Sequence, residues 1–230
     1  MRNDGAMICW GTGSSEPPDE AFVGVSAGAG VTCGIVAGGA LTCWGSDSYG
    51  MVSEAPGGTY TQVSVGLYGA CALATDGTIA CWGESTGVLA PTGAGYTQVE
   101  RGELAGCALA GDGTLAAFIW ATGAAGTYTQ VSASRLGCHG LTPEGEITDP
   151  DDVFAGAVPA GPFVSFDTGA WSGCAIDASD ALLCWGDGLV GPAGAYRSVS
   201  VSDGNVHACA IDTFGEIACW GYSADGATTM

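Results

Sequence analysis

The sequence predicts an all-β protein, a β-propeller of about six blades, each a small antiparallel sheet. A seven-blade ring with one incomplete blade is the alternative. Three observations carry this. "CALATDGTIACWG" at 71–83 returns as "CAIDTFGEIACWG" at 209–221. Short apolar runs alternate with Gly- and Asp-rich turns, and no run shows the 3.6-residue period of a helix. Within "CALATDGTIAC", Cys71, Leu73, Ile79 and Cys81 share one pleat face, while Ala72, Ala80 and Trp82 share the other. Both faces are apolar, so each sheet must be covered on both sides, as neighbouring blades cover one another.

Each unit opens with a first strand, "YTQV" at 60–63, 96–99 and 128–131, echoed by "FVGV" at 22–25, "FVSF" at 163–166 and "YRSV" at 196–199. A small-residue loop leads to a second strand of the "CAL" or "CAI" type. A Gly/Asp turn follows, then a third strand ending "CWG", then a polar linker. Six units start near residues 22, 60, 96, 128, 163 and 196, and residues 5–11 repeat the third strand alone. Residues 1–230 therefore form a single propeller domain, with 1–20 an extra partial repeat. The partial repeat suggests a segment of a longer protein.

Composition narrows the function. The chain has 24 acidic residues, four arginines and no lysine, a formal net charge of −20. That charge repels phosphate backbones and anionic membrane surfaces, so no nucleic-acid partner is expected. No apolar stretch reaches the ~18 residues of a membrane helix, so no membrane insertion is expected. The start has no apolar run of the signal-peptide kind. With 47% apolar residues and 41 glycines, the chain is not a disordered acidic tail.

Four cysteine pairs share one spacing: Cys33/Cys43, Cys71/Cys81, Cys174/Cys184 and Cys209/Cys219. Centring each hairpin on its turn sets the two sulfurs opposite each other, at ~4.5–5.5 Å between Cα atoms, a separation that admits a disulfide. Disulfides are expected, which implies an oxidising compartment and an extracellular or cell-surface location. Reduced cysteines packed as small hydrophobes are the alternative. Cys107 falls opposite Ala117, Cys138 opposite Thr148, and Cys9 has no second strand, so three free thiols are expected. Trp10, Trp44, Trp82, Trp185 and Trp220 occupy one repeat position, an inter-blade packing site, with Phe118 and Asp149 substituting. Trp120 and Trp171 fall outside it.

"CALATDGTIACWG" and "CAIDTFGEIACWG", preceded by "YTQVSVG" and "YRSVSVS", resemble the repeats of the regulator of chromosome condensation family in their secreted bacterial form. The resemblance spans nearly the whole chain. The layout is also similar to propellers of the beta-lactamase inhibitor protein II type, whose chain likewise opens on a third strand. The resemblance implies a propeller serving as a binding platform. The family's chromatin role suits a basic protein and does not fit this acidic one.

No enzyme is expected. His139 and His207 lack motif partners, and no nucleophile elbow or phosphate-cradling loop is present. The acidic run Thr142–Asp152 has carboxylates suited to calcium but no ligand alternation, and reads as a solvated rim. No metal and no cofactor are expected. What varies between repeats is the loop joining first and second strands. Those loops gather at one end of a propeller, where a rigid scaffold presents them. Tyr68, Leu104, Arg135, Trp171 and Asn205 would share that face, and aromatic residues with arginine are enriched at binding hot spots. In the inhibitor-type propellers this loop class includes the aromatics that touch the target. The expected function is a non-catalytic secreted or cell-surface module that binds a protein partner. The alternatives are a structural repeat segment of a large surface protein or fibre without a dedicated ligand, and a lectin-like carbohydrate binder.

Overall fold

The computed structural model describes residues 7–10, 15–28, 30–83, 90–119, 121–135, 137–150, 152, 154, 157–202 and 207–222. Its strands form six antiparallel sheets in chain order. Blade 1 holds β1 (Phe22–Gly28), β2 (Val31–Val36) and β3 (Leu41–Gly45); blade 2 holds β4 (Tyr60–Val65), β5 (Gly69–Ala74) and β6 (Ile79–Gly83). Blade 3 holds β7 (Tyr96–Arg101), β8 (Ala105–Ala110) and β9 (Leu115–Ile119). Blade 4 is irregular, with β10 (Thr122–Gly123) added in parallel to β12 (Gly137–Leu141), beside β11 (Gln130–Ala133) and β13 (Ile147–Thr148). Blade 5 holds β14 (Phe163–Thr168), β15 (Ser172–Asp177) and β16 (Leu182–Gly186); blade 6 holds β17 (Tyr196–Val201), β18 (His207–Asp212) and β19 (Ile217–Gly221). These are the six expected units. Met7–Trp10, expected to form an extra third strand, belongs to no sheet.

The second hairpin of each unit turns on Asp-Gly chemistry. Asp76 Oδ1 accepts the Thr78 amide at 3.0 Å, and Gly77 sits at φ 80°, where a Cβ is strained. Asp112, Asp177 and Asp212 repeat the bond to the residue two places on.

The two apolar faces divide as the alternation predicts. The cysteine face of each blade packs on the alanine and tryptophan face of the next. Val31, Cys33 and Ile35 meet Val63, Ala70, Ala72 and Trp82, and Cys71 and Leu73 meet Val99, Ala108 and Phe118. Equivalent clusters join blades 3 and 4, 4 and 5, and 5 and 6.

The inner strands add polar stitching that the repeat motif conceals. Gln62, at the third position of its strand, accepts the Val99 amide of the next blade at 3.0 Å; Gln98 does the same for Val131 and Gln130 for Phe166. At the fifth position Ser26 accepts the Val65 amide, Ser64 that of Arg101, Ser132 that of Thr168 and Asp167 that of Val201. Each bond satisfies a backbone amide that no strand partner reaches on that side.

All four expected hairpin disulfides form, with Cα atoms 4.0 Å apart. The expectation of three free thiols is corrected. Cys107 and Cys138 are bridged across blades 3 and 4, and Cys9 alone is free. Cys107 had lost its hairpin partner to Ala117, and the cysteine face it belongs to points at the next blade, where Cys138 stands.

Blade 4 also corrects the alignment. Gly140 pairs with Thr148 and Leu141 with Ile147, as Ala72 pairs with Ala80 and Leu73 with Ile79. Cys138 therefore does not face Thr148, and Asp149 is not at the tryptophan position. One step along this register, His139 and Asp149 take the places of the bridged cysteines, and Pro150 that of tryptophan. The indole volume is partly replaced by Phe154, which stacks on His139 at 4.9 Å and meets Trp185 edge-on at 6.0 Å.

Candidate functional site

The loops between first and second strands come together at one end of the disc because glycine lets them. A Cβ on Gly66 would strike the Gly102 carbonyl, and one on Gly102 would strike that of Ser134. The same holds for Gly169 against Ser202. Successive loop starts are thus in van der Waals contact around the axis, and the remaining loop residues are directed outward.

Arg101 fixes the blade 3 loop from beneath. Its buried guanidinium donates through Nη1 to the carbonyls of Gly102 at 2.7 Å and Ala105 at 2.9 Å. Glu103, held on that loop, pairs with Arg135 of blade 4 at 3.5 Å, and the Leu104 amide donates to the Arg135 carbonyl at 3.0 Å. The Arg135 guanidinium lies 5.3 Å from the centroid of Trp171 on blade 5. At that range the cation is attracted by the ring's quadrupole. Trp171 itself remains 46% exposed. Three consecutive blades therefore support one exposed indole.

The structure brings Leu104, Arg135 and Trp171 together as expected. Tyr68 is on the same end and packs edge-on against Tyr49 at 5.2 Å, one blade away from that group. Asn205 lies outside the described residues. Glu103, Arg101 and Tyr49 were missed. Glu103 and Arg101 looked like unshared charges, and Tyr49 sits in a linker, "SDSYGM", outside the loops compared.

Two further polar groups are inside the disc. Glu100 and Asp167 stand at the fifth position of β7 and β14, where other units carry serine. Gln62, Gln98 and Ser64 donate to Glu100 at 2.9, 3.1 and 3.1 Å. Loss of surrounding water pushes its carboxyl up to about 7, with the nearby Asp167 charge adding to the rise. Asp167 is likewise pushed up to about 6 by desolvation, against hydrogen bonds that lower it.

The second group is His139, whose Nε2 is 2.9 Å from Ser134 Oγ and whose Nδ1 is 3.6 Å from Asp149 Oδ1. The residue types are those of a hydrolytic triad, but Ser134 and His139 have no solvent exposure. A nucleophile must be reachable by its substrate, so this is a buried polar lock. Among the described residues no three metal-ligating side chains converge.

Fold and loop face together define a β-propeller with repeats of the regulator of chromosome condensation type. Residues 60–86 match the family model for the regulator of chromosome condensation (RCC1) repeat. Among solved structures, the chain is similar to the ectodomain of the Physcomitrella patens receptor kinase CR4, with TM-score 0.75, 22% identity and coverage of 89% of this chain and 63% of that one. The chain thus spans under two thirds of that ectodomain. It is similar to the CRINKLY WD40 ectodomain of the Arabidopsis thaliana receptor kinase ACR4, with TM-score 0.72, 21% identity and coverage of 89% and 83%. Yeast RCC1 (Prp20), solved with Kap60, matches at TM-score 0.50 and 16% identity, over 90% of this chain and 57% of that one. No curated protein matches the chain. Identities this low carry the fold and nothing finer.

Proposed function

We propose that the protein is a non-catalytic, extracellular or cell-surface propeller that binds a protein partner through its loop face, centred on Trp171. The observation that carries this reading is the exposed indole held by Arg135, itself held by Glu103. An exposed aromatic adds nothing to the fold, and a preorganised one loses little entropy when a partner covers it. Five disulfides support an oxidising compartment, and the receptor ectodomains are a fold-level analogy in the same direction. The non-catalytic reading is supported by the inaccessibility of Ser134 and His139.

The test compares proteins retained by the immobilised wild type, by Trp171→Ala and by Phe214→Ser, whose side chain is exposed on the opposite, hairpin-turn end. A partner kept by Phe214→Ser and lost by Trp171→Ala, with melting temperatures unchanged, supports the reading. Truncating a central aromatic anchor costs about 2 kcal/mol or more of binding. Equal retention by all three favours a structural repeat without a dedicated ligand. Unfolding of Trp171→Ala would make the indole a core residue.

A further inference from the structure

The two ends of the blade series carry complementary faces that are uncovered among the described residues. The fourth residue of each first strand points at the preceding blade. Val63, Val99, Val131 and Phe166 are at most 7% exposed there, whereas Val25 of blade 1 is 39% exposed. The cysteine face points at the following blade. Ile35, Leu73, Leu109, Leu141 and Ile176 are buried on it, whereas Ile211 and Cys209 of blade 6 are partly exposed and Ile217 is 36% exposed. The stitching positions agree, since Ser198 and Ser200 are exposed on blade 6, as is Ala27 on blade 1. Five blade interfaces are filled by apolar clusters, and no such cluster joins blade 6 to blade 1 among the described residues.

We propose that these two faces, with residues 7–10, form a docking slot for a two-stranded β-hairpin of the repeat's own chemistry. Its first strand carries aromatic-x-x-Val and its second Cys-Ala-Leu or Cys-Ala-Ile. The warrant is continuity with the five filled interfaces. The hairpin's aromatic covers Ile211 as Tyr196 covers Ile176, and its cysteine face covers Val25 as that of blade 1 covers Val63. Residues 7–10, "MICW", have third-strand sequence and precede Phe22 at the usual distance. Thirteen residues separate Cys9 from Phe22, against twelve from Cys184 to Tyr196 and fifteen from Cys81 to Tyr96.

Cys9 then has a place. It is the one cysteine of eleven without a partner, and it stands where Cys43, Cys81, Cys184 and Cys219 stand in blades whose second-strand cysteine bridges them. The hairpin's thiol and the Cys9 thiol each lose one proton and one electron to molecular oxygen or a disulfide oxidant as the S–S bond forms. Direct packing of blade 6 on blade 1 does not fit, because it would bury Val25 and Ile217. A second whole copy would bring six blades of its own and continue as an open, non-closing assembly.

The test joins a copy of residues 196–213 after Met230 of the full chain by a flexible Gly/Ser linker, with the same segment in scrambled order as control. Docking predicts no titratable thiol in the unreduced, denatured fusion, against two in the control, and a melting temperature higher by about 5 °C or more. A fusion whose added cysteine is serine should keep part of that rise. Val25→Asp should abolish the rise while leaving the unextended chain's melting temperature unchanged. Two free thiols with the control's melting temperature overturn the proposal. A doubled mass of the unextended chain, with Val25 and Ile217 amides protected from exchange, also overturns it, by assigning the slot to a second copy.

Discussion

Cys107 and Cys138 stand on adjacent blades with Cα atoms 5.6 Å apart, and their disulfide links two sheets, while every other bridge stays inside one hairpin. The change follows from two substitutions read together. Ala117 removes the partner Cys107 would have across its own turn. A cysteine at 138, in the place of Ala70 on the face looking back, offers a new one.

Free-thiol titration of the unreduced, denatured protein should find one reactive cysteine, Cys9. Cys107→Ser should raise the count to two. The inter-blade bridge closes a loop of sequence separation 31, against 10 for the hairpins. In chain-entropy terms, removing it costs about 4 kcal/mol, roughly 1 more than removing Cys71–Cys81. Equal losses in denaturant unfolding would show that the bridges act through native strain or solvation instead.

His139 and Asp149 occupy the positions of a bridged pair, ten residues apart like Cys71 and Cys81. The double variant His139→Cys/Asp149→Cys should therefore form a sixth disulfide, detected as a titration still showing only Cys9. His139→Ala alone leaves Ser134 and Asp149 without the imidazole in a buried setting and should cost about 2–4 kcal/mol. A near-neutral His139→Ala would mean that the polar lock carries little of blade 4's stability.

Glu100 and Asp167 make stability depend on pH in an unusual direction. Their folded-state values, about 7 and about 6, lie above the ~4 of an unfolded carboxylate. Between these limits the folded state binds more protons, so the contribution is complete below pH ~4 and is lost as pH rises through 6 and 7. Hydrogen-bonded turn carboxylates such as Asp76 and Asp177 are lowered and act oppositely, losing their contribution on acidification. The difference between wild type and Glu100→Gln/Asp167→Asn isolates the buried pair. The wild type should lose stability relative to the variant from pH 4 to 8, and a flat difference would refute the assignment.

Gly102→Ala tests the packing of the loop ends. Its Cβ would strike the Ser134 carbonyl, a backbone atom that cannot rotate away. A loss of about 1–3 kcal/mol is expected. Gly57→Ala, with open space around the added Cβ, should be neutral or slightly stabilising. A neutral Gly102→Ala would show that the loops can separate, and would weaken the case for a preorganised binding face.

The sequence by itself determined the blades. Strand order, hairpin turns, the division of faces and four disulfides were all legible, because they depend on period-two alternation and on contacts within about 20 residues. It also placed Arg135 and Trp171 on one end, since strand direction fixes which loops share an end. What only the tertiary structure decided lies between blades. The Cys107–Cys138 bridge, the stitching by Gln62, Ser64 and Asp167, and the Glu103–Arg135–Trp171 chain join residues about 30 to 40 apart that no local pattern relates. Blade 4 shows the reason most plainly. Aligning on Cys138 misplaced that hairpin by one residue, because a cysteine looked like the repeat's own, whereas the hydrogen-bonded register follows Gly140, Leu141 and Ile147. A strand's register is set by which face must be buried against its neighbours, and the neighbours are known only once the ring is built.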